Sequence, residues 1–347
     1  MIHVGPPKTG TTYLQSVLWD HKAVLREAGV LLPGRAPFDH NLVGAYLRCE
    51  QPGPRMQRAW KRVVGAVNAW PGTAVLSNEW FSLTSRRQAW RALAAFPGAE
   101  MHVVGAARDF RAVAPAAWQE QLKLGHASSL DDFVGSLTGS GDRWSWSTLD
   151  PARVLARWGA WLPRENVHVV TFPTPTSPPC TLWDRFAGVC GIPPGLCEPS
   201  RGSSNESIGV ESAKLLEILG PRLRRAIDAD DADWTEQYRW LRRFLGHQLL
   251  APRGGSRIAL RDEDAVALQA RTRASVEALR SAGWRVVGDL AELTATAVSA
   301  TAVHPDDVSD AALLEVAGDL VADLLRQVRL EARRSERTGS TADTRTG

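Results

Sequence analysis

The sequence predicts an α/β protein built on a doubly wound parallel sheet with flanking helices. Four short apolar, β-branched runs carry the first half of that reading: IHVG at 2–5, TAVLS at 73–77, MHVVGAA at 101–107 and NVHVVTF at 166–172. Each is apolar throughout, as a parallel strand buried on both faces must be. Segments with helical spacing at 13–28, 55–69, 88–96 and 152–162 lie between them. Strand–helix–strand alternation of this kind implies right-handed crossovers. Ligands of such sheets bind at the carboxyl ends of the strands.

The first run enters the turn Gly-Pro-Pro-Lys-Thr-Gly-Thr-Thr at 5–12 and then an apolar helix start. Gly5 and Gly10 allow tight backbone geometry, and the amides around Thr9 to Thr12 open a helix whose positive end suits a phosphate. Lys8 adds a full charge, and Thr11 and Thr12 add hydroxyls. In a triphosphate P-loop the lysine follows the last glycine; here Lys8 precedes Gly10 by two residues.

The second run ends in Ser77-Asn78-Glu79, the third in Arg108-Asp109. A guanidinium at a strand's carboxyl end offers paired charge-assisted bonds to phosphate. A carboxylate there can serve as a general base or cap the helix that follows. His40, in FDHNL, reads as a histidine in a polar loop and is the second base candidate. His3 and His102 alternate with apolar residues inside strands and read as structural.

Further along, Pro163 closes a helix before the fourth strand, PTPTSPP at 173–179 is a loop leading to a helix at 182–190, and SRGSSNESIG at 200–209 is a polar loop before a helix at 210–219. A mostly helical region carries Trp234, Tyr238 and Trp240, and WRVVGDL at 284–290 has the pattern of a late strand and turn. Residues 1–300 are expected to form one α/β domain, 301–330 a helical extension and 331–347 a disordered tail.

With 347 residues and 44% hydrophobic side chains the chain can bury a sizeable core. A net charge of +3, dispersed along it, gives no nucleic-acid footprint. No run of eighteen apolar residues marks a membrane span, and with no leader before Ile2 a cytoplasmic protein is expected. Cys49, Cys180, Cys190 and Cys197 lack CxxC spacing, so neither a metal site nor a disulfide framework is expected. Most of the 14 tryptophans fall on helical patterns and read as packing residues; Trp80 and Trp118 sit beside the candidate site residues.

The loop pattern resembles the 5′-phosphosulfate loop of sulfotransferases that use 3′-phosphoadenosine 5′-phosphosulfate (PAPS), and Ser77-x-Glu79 resembles a strand end of bacterial, actinobacterial-like members of that superfamily. The resemblance implies a sulfotransferase version of the P-loop NTPase-like fold and transfer of a sulfuryl group to a hydroxyl or amine, leaving adenosine 3′,5′-bisphosphate without a metal. It gives Lys8 the leaving oxygen, Pro7, Lys8, Thr9, Gly10, Thr11 and Thr12 the 5′-phosphate, Arg108 the 3′-phosphate, and Glu79 the acceptor proton, with His40 behind it. The family's serine eight residues after the arginine is Ala116 here. The polar loop with Arg201, Ser204, Asn205 and Ser207 is the expected compensation. The acceptor is a small molecule, glycan or other metabolite, met by 33–55, 125–146 and the region around Trp234, with Trp144 and Trp146 pointing to an apolar or ring-bearing group. The alternatives are a P-loop small-molecule kinase and a non-catalytic nucleotide-binding relative.

Overall fold

The computed structural model describes residues 1–139, 143–199, 207–228, 234–295 and 301–343, in two compact units. The first comprises 1–117, 134–205 and 262–297; the second comprises 118–133, 206–261 and 298–347. The sequence pattern instead predicts one α/β domain over 1–300.

The first unit holds a five-stranded, all-parallel sheet in the order β4-β1-β5-β6-β7, from β1 (Ile2–His3), β4 (Leu76–Ser77), β5 (Val103–Ala107), β6 (Val167–Thr171) and β7 (Arg285–Val287). Ile2 is in register with Leu76 on one side and Val103 on the other. The expected strand at 73–77 divides. β3 (Thr73–Ala74) pairs with β2 (Val30–Leu31) in a separate two-stranded ribbon, and the chain then steps at Val75, whose N–H still bonds Leu31, to let Leu76 bond Met1.

Helices cover both faces. The first layer consists of α3 (Pro37–Arg48), α4 (Pro54–Asn68), α5 (Arg86–Leu93), α9 (Pro151–Trp158) and α13 (Asp262–Ser281). Val43, Val63, Leu155, Trp158 and Val276 from these helices pack with Ile2, Val103, Val167 and Val169. On the other face α1 (Thr11–Asp20), α2 (Lys22–Glu27) and α10 (Thr181–Val189) bring Leu14, Leu18, Leu25 and Phe186 against Val104 and Val170. Val103 and Val104 thus serve opposite faces, as strand alternation requires; each such fully buried side chain contributes about 1.5–3 kcal/mol. The helix expected at 13–28 breaks at His21, whose ring Nδ1 meets the Val17 carbonyl at 2.9 Å and caps α1.

α6 (Phe110–Leu122) follows β5, and α7 (Leu130–Ser136) and the short α8 (Trp146–Leu149) lead to α9. The second unit is helical: α11 (Val210–Asp228), α12 (Trp234–Gln237), a π-helical segment Tyr238–Leu250, and α14 (Asp310–Asp343). Its interior buries Glu120 between Lys123 at 3.1 Å and Arg242 at 2.8 Å. The tail expected to be disordered from 331 continues α14 to Asp343. Its Glu, Arg and Ala residues are good helix formers, and adding them to an existing helix avoids the cost of nucleation. Among the described residues no helix is long and apolar enough to cross a membrane.

Candidate active site at the carboxyl edge of the sheet

The chain runs from β1 outward to β4, then returns to β5 on the other side of β1, so the strand order reverses at the centre of the sheet. In open α/β sheets, ligands bind outside the carboxyl ends of the strands at such a reversal. The loop after β1, the Asn78-Glu79 turn after β4 and Arg108 after β5 leave three adjacent strand ends there.

The loop is built from glycine geometry and internal hydrogen bonds. Gly5 has φ 80°, and a Cβ on it would lie 2.8 Å from the carbonyl oxygen of Glu79. The loop and the turn after β4 therefore touch backbone to backbone. Lys8 is the one non-glycine residue with positive φ among the described residues, at 66°. Gly10, at φ 88°, occupies the N-cap of α1, and no side chain caps the helix there. The first-turn amides of α1 have no intrahelical acceptor. Thr9 Oγ1 donates to the Pro6 carbonyl at 2.7 Å and Thr11 Oγ1 to the same oxygen at 3.3 Å. These two hydroxyls shape the loop, in which Lys8 is half-buried and Thr12 exposed. Pro7 is buried in the turn.

Arg108 extends from the end of β5 beneath this loop. Its Nη1 donates to the Lys8 carbonyl at 3.0 Å, and its guanidinium lies 4.3 Å from the centre of the Phe172 ring. Burial pushes its pKa down, while neighbouring Asp109 works in the opposite direction. Asp109 makes its own bonds elsewhere: Arg111 grips it at 2.9 Å and the Thr272 hydroxyl reaches it at 3.3 Å. Ala116 lies two turns into α6 and offers no donor.

Glu79 begins a 3-10 turn, Glu79–Leu83, capped by the Asn78 side chain, which accepts from the Trp80 N–H at 2.8 Å. Capping thus falls to Asn78 and not to Glu79, whose carboxylate is half-buried at the strand end. Trp80 meets Trp144 edge-on with ring centroids 5.7 Å apart, and the Arg143 guanidinium lies 4.4 Å from the Trp80 ring centre.

His40 departs from expectation. It lies in α3, not in a loop, and is buried; its Nε2 meets the Pro33 carbonyl at 2.7 Å and its Nδ1 the Ser77 N–H at 3.2 Å. The Nε2–H tautomer satisfies both, and burial lowers its pKa. A ring occupied on both nitrogens by main chain holds α3 to β4 and has no nitrogen left for an acceptor. Arg201, Ser204 and Asn205 lie outside the described residues; Ser207 is exposed in the second unit.

Three contributors escaped sequence reasoning. Gln15 donates to the Ser77 carbonyl at 3.1 Å, tying α1 to β4. Phe172 ends the run NVHVVTF, where an aromatic residue at a strand terminus was the available signal. Arg143 had none.

Elsewhere in the first unit a cavity of about 710 Å³ lies at the amino-terminal ends of the strands, lined by Trp70, Phe96, His102, His168 and Arg285 among others. It shares no residue with the loop. In the second unit Asp131, His304 and Asp306 group closely enough to hold a cation. They already pair, His304 with Asp131 at 3.0 Å and Asp306 with Lys214 at 2.7 Å.

No protein-family model, curated protein or solved structure matches this chain.

Proposed function

We propose that this protein is a sulfotransferase with a P-loop-like sulfotransferase fold, moving a sulfuryl group from PAPS to a hydroxyl or amine acceptor. The observation that carries the reading is the left-handed Lys8 ahead of the Gly10 cap, with half-buried Arg108 bonded to the Lys8 carbonyl from the next strand. The amino terminus of α1, the Lys8 ammonium and the Thr12 hydroxyl fall within one turn, a combination that suits a phosphate-linked sulfate.

In this reading Lys8 and the amides of 9–12 hold the 5′-phosphate, and Arg108 holds the 3′-phosphate. Glu79 takes the acceptor's proton as the new S–O bond forms. The bond from sulfur to the bridging oxygen breaks, its electron pair leaves with the 5′-phosphate, and Lys8 neutralises that oxygen. Positioning and charge stabilisation supply the rate. Trp80 and Trp144, with Arg143 over the first, form the rim that meets the acceptor, so a ring-bearing acceptor is favoured.

Calorimetric titration with adenosine 3′,5′-bisphosphate, ATP with Mg²⁺ and adenosine 5′-phosphate tests the proposal. The bisphosphate is expected to bind tightest. Preference for ATP with Mg²⁺ returns the reading to a small-molecule kinase, against which the engagement of Asp109 by Arg111 counts. Bisphosphate binding without turnover across a panel of hydroxyl and amine acceptors with labelled PAPS indicates a non-catalytic relative.

A further inference from the structure

Helix α14 is held to the second unit by one side only. Leu320 is buried there, and Arg253 grips Asp319 at 2.8 Å and also Asp323. Another side carries Leu314, Val321, Leu325 and Val328, at 75%, 64%, 61% and 65% exposure. Four such residues on one helix exceed scattered surface apolarity. Their order is regular. Leu314, Val321 and Val328 recur every seven residues, and Gly318, Leu325 and Ala332 form a second seven-residue row four positions later. Two interleaved rows of this kind make the a/d seam of a two-helix coiled coil, roughly 27 Å long at the rise of an α-helix.

We propose that this seam is covered by the same helix of a second copy of the chain, running antiparallel. Size and charge along the seam select that occupant and that direction. In the antiparallel register Val321 faces Leu325 of the other copy, Gly318 faces Val328, and Leu314 faces Ala332, so the central layer is apolar and the outer layers each join a large residue to a small one. Open space surrounds Gly318, with nothing within 4 Å of where a Cβ would stand. On the flank, exposed Glu315 comes opposite Arg329 of the other copy. A parallel pair would set Gly318 against Gly318, leaving a gap, and Asp310 against Glu315, two like charges.

The test is the mass of the full chain in solution by sedimentation equilibrium, with the helical content of each variant followed by circular dichroism. A dimer is expected. Val321→Asp, an exposed position that folding does not need, should weaken it at least tenfold with unchanged helicity. Glu315→Arg and Arg329→Glu should each weaken it severalfold, and the double variant should restore it, because the exchanged charges meet again across the antiparallel pair. A monomeric wild-type chain, a dimer indifferent to Val321→Asp, or a dimer strengthened by Glu315→Arg alone, as a parallel pair would be, overturns the proposal.

Discussion

Arg108 Nη1 donates to the main-chain carbonyl of Lys8 at 3.0 Å, which ties the end of the third sheet strand in sequence to the loop that follows the first. The guanidinium retains further N–H groups for an anion. Arg108→Lys keeps a charge but loses the fork and the reach to that carbonyl. Affinity for adenosine 3′,5′-bisphosphate should fall by about 10–100-fold, the worth of a charge-assisted hydrogen bond or two. Titration calorimetry reads the change, and an affinity within twofold of wild type would remove Arg108 from the nucleotide site.

Lys8 occupies a backbone region that costs a side chain about 1–2 kcal/mol. Lys8→Gly relieves that strain while adding the chain entropy of glycine, so stability should stay within about 1 kcal/mol of wild type. Turnover should drop by at least about 100-fold through loss of charge stabilisation. Thermal unfolding and a labelled-sulfate transfer assay give the two readings.

Gly5→Ala places a methyl group 2.8 Å from the Glu79 carbonyl oxygen at a φ of 80°. Both effects oppose folding, and a loss of about 2–3 kcal/mol is expected from strain and overpacking together. Denaturant titration checks it.

His3 is fully buried between the sheet and Phe186, with Nδ1 2.8 Å from the Ser77 hydroxyl and Nε2 lacking a hydrogen-bond partner. Burial lowers its pKa from 6.5 to about 4. Between those values the unfolded chain binds the proton and the folded one does not, so stability falls as the solution is acidified from pH 6.5 towards 4 and is level above. The full contribution approaches about 3 kcal/mol. His3→Leu should flatten that part of the stability–pH curve; an unchanged slope would point to other groups.

Trp80 and Glu79 are neighbours with separable tasks. Trp80→Ala should raise KM for a ring-bearing acceptor by about tenfold through lost stacking, with kcat little altered. Glu79→Gln should lower kcat by about 10²–10⁴-fold with KM little altered, as removal of a general base does. A shared fall in both constants for both variants would contradict the division.

The buried strands and most helices were legible because continuous apolar runs and helical periodicity are local signals. The tight loop after β1 was legible for the same reason, since Gly5, Lys8 and Gly10, all at positive φ, lie within six residues. What escaped depends on pairings distant in sequence. The step at Val75 exists because Leu31 and Met1 compete for adjacent N–H groups of one run. His40, in FDHNL, reads as a histidine in a polar loop, yet Pro37 opens α3 and the ring is consumed by Pro33 and Ser77. The Thr9 and Thr11 hydroxyls, expected to face phosphate, bond the Pro6 carbonyl, a preference visible only once the loop is closed.

The backbone contact between Gly5 and Glu79 also bears on how such a protein can be retargeted. Main chain on main chain fixes the distance from the Gly5–Gly10 loop to the turn bearing Glu79, whatever side chains surround them. Trp80 meets Trp144 and Arg143 through side chains. If the proposed function holds, acceptor choice can therefore be redesigned by exchanging this trio, while the loop and the turn are left intact.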